Sequence, residues 1–132
     1  MRLLLDTHLL VSMHMGDPPG AGTAAERLLT SAEHALFFSM ASVWEVAIKH
    51  ALPDTRKNIM PIAPRPFLEL SQQGGAALLP IGPEHIFALA VLPALPGDPF
   101  DRLLVAQAVA EGMRLVTRDK LLARYSDAVV VI

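Results

Sequence analysis

A chain of 132 residues with 52% hydrophobic and 18% charged residues carries enough apolar material for one sizeable core and is too apolar to stay disordered. Eleven basic against thirteen acidic residues leave a net charge of −2, which excludes a globally basic nucleic-acid binder, so any phosphate-bearing partner must be met by a local patch or by metal ions. Cysteine is absent, which excludes disulfides, thiol catalysis and cysteine-ligated zinc and suits a reducing cytoplasm.

The chain reads in order as alternating strands and helices. Leu3–Leu5 is a short apolar run, predicted as a buried strand that ends at Asp6. Helical spacing through Leu9, Leu10 and Met13 stops at Gly16-Asp17-Pro18-Pro19. Thr23–Ser31 is a second helix, and Ala35–Phe38 a strand. Ser39 is a fitting N-cap for a helix over Ala41–Ala51, closed by Pro53. Leu52–Arg65 is proline-rich and reads as a loop. Pro66–Gln73 is a helix with proline in its first turn, stopped by Gly74-Gly75. Ala77–Leu79 is a strand and Glu84–Val91 a helix. A turn-rich stretch, Pro93–Pro99, leads into a long helix from Phe100 or Asp101 to Glu111, stopped by Gly112. Leu115–Val116, a helical turn over Lys120–Ala123, and a last strand Val129–Ile132 complete the order. Short apolar strands separated by helices predict a parallel sheet in a three-layer α/β domain, one domain over residues 1–132. The longest charge-free runs, Ala35–Trp44 and Ile86–Gly97, are too short for a membrane span. Met1–Leu5 meets Asp6 too early for a signal sequence, and no membrane partner is expected.

Most of the thirteen carboxylates fall in turns or on solvated helix faces, but four do not. Asp6 and Asp119 follow apolar strands at their C-terminal ends, where an open parallel sheet binds its ligands. Glu45 lies within a helix that is apolar almost all round, and Asp101 opens a helix whose body is core material. Each alone has a plain structural role. Asp6 and Asp119 serve equally well as helix N-caps, Asp101 as a first-turn acid, and Glu45 as half of a surface pair with Lys49 four residues on. Four carboxylates at one crevice would repel and take up protons unless a cation stood among them. Oxygen-only donors favour magnesium or manganese, which in pairs promote phosphodiester hydrolysis.

Other chemistries lack their parts. The five histidines show no metal-ligand spacing and read as surface or partly buried, with His8, beside Asp6, the one to watch. Gly20-Ala21-Gly22 follows no strand, and neither a P-loop nor a nucleophile elbow is present. Trp44 and the phenylalanines read as core rather than as stacking platforms.

Four blocks carry a family resemblance. They are Met1–His8 (MRLLLDTH), Phe38–Lys49 (FSMASVWEVAIK), Asp98–Ala108 (DPFDRLLVAQA) and Leu115–Asp119 (LVTRD). In this order and spacing the chain resembles the PIN-domain ribonucleases, and among them the VapC-like toxins of bacterial type II toxin–antitoxin pairs. The resemblance implies a parallel five-stranded sheet flanked by helices, with the acids at one end. It implies magnesium, with manganese as the alternative, held by Asp6 and Asp101 and completed by Asp119, while Glu45 polarises the attacking water. Thr7 and Thr117 match hydroxyl positions that hold the ligands, and Asp98 is either an additional supporting acid or a turn residue before Pro99. Arg102 and Arg118, each beside one of the acids, are candidate contacts to RNA phosphate. The implied activity is an RNA endonuclease, a homodimer whose crevice is covered by a small VapB-like antitoxin. One region departs from the pattern. Where many relatives carry a glycine-lysine turn after Lys49, this chain has His50–Lys57, and Arg56, Lys57 and Arg65 there are a candidate local basic patch. Two other readings remain at this stage: a PIN-like module that binds without catalysis, and a phosphohydrolase or phosphoacceptor using Asp6.

Overall fold

Three consecutive leucines form the centre of the molecule, and their alternation shows why all three are apolar. Leu3 and Leu5 enter one hydrophobic core and Leu4 the other, because successive strand side chains point to opposite faces. Only a sheet covered on both sides needs such an unbroken run. The computed structural model describes residues 1–55 and 59–132; Arg56 and Lys57, two of the three cations of the expected basic patch, lie outside the described residues.

Five parallel strands form one sheet: β1 (Arg2–Leu5), β2 (Ala35–Ser39), β3 (Ala77–Leu79), β4 (Arg114–Thr117) and β5 (Val129–Val131), in the order β3-β2-β1-β4-β5. Leu4 pairs with Phe37 on one side and with Leu115 on the other. The helices are α1 (Thr7–His14), α2 (Ala24–Thr30), α3 (Met40–His50), α4 (Pro64–Gln73), α5 (Pro83–Ala90) and α6 (Pro99–Glu111), with a 3₁₀ turn over Lys120–Arg124. One core takes Leu9 and Leu10 of α1, Leu29 of α2 and Phe67 of α4; the other takes Leu103, Leu104, Val105 and Ala108 of α6. Helix α3 serves both, through Val46 and Ala41 respectively. The result is the three-layer α/β/α arrangement that the sequence predicts.

The topology fixes where a site can form. From β1 the chain lays β2 and β3 to one side and then crosses over to add β4 and β5 on the other. Loops therefore diverge above the C-terminal ends of β1 and β4, which opens a crevice there. Asp6 and Thr117 stand at those two strand ends.

Local chemistry sets the element boundaries. The Ser39 hydroxyl accepts from the Ala41 N–H at 2.9 Å and caps α3, as predicted. Helix α4 opens at Pro64, two residues before the predicted start. Pro64 has a φ suited to the first turn, and Pro66 is tolerated there because first-turn N–H groups lack intrahelical partners anyway. Just before α4, Met60 and Ile62 are buried, and the Met60 carbonyl meets His50 Nδ1 at 3.0 Å. Gly112 ends α6 at φ +65°, a conformation that favours glycine.

Three sequence expectations about side-chain burial fail. Phe87 of α5, expected in the core, is 63% exposed. Trp44 is not core: it is 50% exposed, because the inward faces of α3 are taken by Ala41, Ser42, Glu45 and Val46. His85 is buried rather than superficial, with its ring held by Glu111 and by the Gly82 N–H, at 2.8 and 2.9 Å. Among the described residues no helix is long and apolar enough to cross a membrane.

Candidate metal and catalytic centre

Asp6 continues the β1 ladder, its N–H donating to the Val116 carbonyl at 3.0 Å. It occupies the N-cap position of α1, yet its carboxylate makes no capping bond. Oδ2 instead accepts from the Thr117 hydroxyl at 2.8 Å, across the gap between β1 and β4. Oδ1 is buried with no partner. Of the two readings open from sequence, capping is therefore not what occupies this side chain. Burial pushes the Asp6 carboxyl pKa up, opposed by the Thr117 hydroxyl. The Thr7 hydroxyl donates to Ser42 Oγ at 2.7 Å and ties the first turn of α1 to α3.

Glu45 is wholly buried on α3. Its Oε2 lies 2.5 Å from Lys49 Nζ and 3.6 Å from His8 Nε2, while Oε1 has no partner. The surface-pair reading of Glu45 and Lys49 does not survive this burial. Lys49 also reaches Asp98 Oδ2 at 3.1 Å, so one ammonium serves two carboxylates. Burial draws the Lys49 pKa down, but the bonds and charges of Glu45 and Asp98 outweigh it and hold the group above its ordinary value.

Asp98 and Asp101 arrive together at the start of α6. Asp98 caps the helix, its Oδ1 accepting from the Phe100 N–H at 2.7 Å. Burial acts to raise its pKa, yet Lys49 and the Phe100 N–H hold it below the ordinary carboxylate value. Asp101 receives only the more distant charge of Lys49, and its Oδ1 is buried without a partner. Burial, reinforced by the charges of Asp6, Asp98 and Glu45 and only partly offset by Lys49, pushes its pKa up to about 7. Glu45, Asp98 and Asp101 each present an oxygen within 4.8 Å of the others.

Asp119 stands apart from that trio. It is exposed, its Oδ1 accepts from the Leu121 N–H at 2.9 Å to cap the 3₁₀ turn, and its own N–H donates to Thr117 Oγ1 at 3.0 Å. Thr117 thus links it to Asp6. Both acids line a cavity of about 300 Å³ with His8, Leu9, Ser12 and Arg118. The two arginines have protein partners. Arg102 donates to the carbonyls of Pro93 and Leu95, at 3.0 and 3.2 Å, and lies 5.4 Å from the Tyr125 ring. Arg118 reaches Asp17 at 3.2 Å to its carbonyl and 3.4 Å to its carboxylate, an exposed contact.

The donor set suits a hard divalent cation. Four buried side-chain polar atoms without partners occur among the described residues, and three of them are the Asp6, Glu45 and Asp101 oxygens at this centre. Unpaired buried carboxylate oxygens are costly, and an all-oxygen set matches magnesium or manganese. Sequence reasoning missed Lys49 as part of the centre. Its signal was present: a Glu–Lys pair in a helix apolar on nearly every face has no polar surface on which to lie.

A three-layer α/β/α domain with carboxylates gathered at the topological switch point defines the class. The PIN domain family model matches residues 3–128, and the chain belongs to that family. Three solved structures share the fold. VapBC2 from Rickettsia felis, bound to a DNA fragment from its promoter, superposes with TM-score 0.71 at 16% identity, covering 100% of this chain and 98% of that one. VapBC-1 from nontypeable Haemophilus influenzae gives 0.64 at 15% identity, with 94% and 91% covered. FitAB bound to an IR36 DNA fragment gives 0.63 at 18% identity, with 98% and 94% covered. Comparison with curated proteins finds no match in sequence.

Proposed function

We propose that the protein is a magnesium-dependent endoribonuclease, the toxin of a toxin–antitoxin pair acting in the cytoplasm. The observation that carries the reading is the set of three buried, unpartnered carboxylate oxygens from Asp6, Glu45 and Asp101 in a PIN-family chain. Asp6 and Asp101 would hold the cation, with Asp119 reaching in from the rim of the cavity. When bound, magnesium or manganese supplies positive charge that stabilises a phosphodiester's developing negative charge and eases loss of a proton from water. Glu45, held by Lys49 and facing the same space, orients the attacking water through its free oxygen. Water adds to phosphorus as the bond to the 3′ oxygen breaks, which leaves a 5′-phosphate and a 3′-hydroxyl. Thr117 fixes the Asp6 rotamer, and Thr7 holds α1 against α3 so that His8 and Asp6 face Glu45. Arg118, at the cavity mouth and exposed, is placed to meet a phosphate by exchanging its contact with Asp17. Arg102 is the weaker candidate, since two carbonyls and a ring already engage it.

The three structures compared above are VapBC and FitAB complexes, which supports a VapB-like antitoxin as partner; the antitoxin's place over the crevice and the homodimer are proposed from the family resemblance alone. Cleavage of a cellular RNA pool by the purified, antitoxin-free protein tests the reading, with magnesium, with EDTA, and with Asp6→Asn and Asp101→Asn in parallel. Discrete fragments that require metal and both aspartates are the expected result. No cleavage by the folded protein in any lane would leave a module that binds without catalysis, and a covalent aspartyl-phosphate on Asp6 would mark a phosphoacceptor.

A further inference from the structure

Trp44 is out of place for a residue whose only role is packing. Half of its surface is open, and the indole meets the Phe100 ring at 4.8 Å in a T-shaped contact. That contact fixes the plane of the indole and leaves the rest accessible. The pair adjoins the acidic centre through Phe100. Trp44 immediately precedes Glu45 on α3, and Phe100 immediately precedes Asp101 on α6. Lys49, which bridges Glu45 and Asp98, lies 5.9 Å from the centre of the Phe100 ring. A rigid aromatic platform therefore borders the carboxylates. The net charge of −2 denies this chain a global attraction for phosphate. Stacking on an indole needs no positive charge and tolerates any base, because every base has a π-face.

We propose that Trp44 is a base-stacking residue that seats a nucleobase of single-stranded RNA beside the carboxylate centre, an inference that rests on the nuclease reading above. The chain contains one tryptophan, so its emission reports position 44 alone. In the full chain carrying Asp101→Asn, to prevent turnover, a ten-nucleotide adenosine RNA should quench that emission saturably, whereas an abasic strand of the same length should not. In the otherwise unaltered enzyme, Trp44→Ala should raise KM for RNA about ten-fold with kcat within about two-fold, and Trp44→Phe should recover most of the loss. If wild type cleaves RNA but both strands quench alike and Trp44→Ala leaves KM unchanged, the stacking role is wrong and the nuclease reading stands. If adenosine RNA quenches selectively but no RNA is ever cleaved, Trp44 still binds bases and the nuclease reading falls. A blue-shifted emission that depends on protein concentration before RNA is added would show the indole covered by a second copy, which overturns the proposal.

Discussion

Lys49 and Glu45, one helical turn apart on α3, form a 2.5 Å ion pair in which the Glu45 side chain is wholly buried and the Lys49 side chain is 22% exposed. An exposed pair at this spacing is worth a few tenths of a kcal/mol, but a buried charge deprived of its partner costs about 3–5 kcal/mol. The expected outcome for Lys49→Met is a loss of about 3 kcal/mol in urea unfolding of the metal-free protein, with part of it recovered by adding Glu45→Gln. A single variant that unfolds at the wild-type midpoint would show that water already solvates Glu45.

The Asp101 carboxyl makes the metal-free protein less stable as pH rises through neutrality. Its folded pKa of about 7 lies above the unfolded value of 3.8, so the folded state binds the extra proton between them. Stability from this group is complete below about pH 4 and is lost as pH rises through about 7. Between pH 6 and 8 the loss is about 1 kcal/mol after allowance for partial solvent screening, roughly 4 °C in Tm. Asp101→Asn, which cannot ionise, should flatten that segment of the Tm–pH curve in EDTA. Parallel curves for the two proteins would place the titration elsewhere.

The polypeptide announces its strands and acids more clearly than their convergence. Leu3–Leu5 followed by Asp6, and Leu115–Thr117 followed two residues on by Asp119, mark strand ends because a doubly covered sheet needs unbroken apolar runs. Ser39 and Gly112 mark helix ends through capping chemistry that is local by nature. Which acids meet is a matter of strand order, which no local pattern encodes. Asp98 illustrates this: read as a supporting acid, it stands with Glu45 and Asp101, while Asp119 lies outside that group. Trp44 was misread for a related reason. Apolar residues cover almost every face of α3, and only the packed structure shows that the Trp44 face is left uncovered.

A divalent cation should offset the repulsion among these carboxylates that Lys49 relieves only in part. Titrating magnesium into the protein at pH 8 should raise Tm, by about 2.7 kcal/mol of added stability at one hundred times Kd. Asp6→Asn and Asp101→Asn should each remove most of that response while leaving the metal-free fold intact, since each exchanges an oxygen for a nitrogen of similar size. An undiminished magnesium shift in both variants would mean that the cation binds at another place.

The Asp119 Oδ1 caps the 3₁₀ turn through the Leu121 N–H, and the cation-binding role proposed for Asp119 is separable from that cap. Asparagine caps as well as aspartate but lacks the charge, whereas alanine does neither. Asp119→Asn should therefore keep the metal-free Tm and weaken magnesium binding several-fold, read from the magnesium concentration at half-maximal Tm shift. Asp119→Ala should weaken it equally and cost a further ~1 kcal/mol of stability. The contrast decides the assignment: if the asparagine variant binds magnesium as tightly as wild type, Asp119 is a cap alone. The centre then consists of Asp6, Glu45, Asp98 and Asp101, four acids whose only cationic partner of firm geometry among the described residues is Lys49.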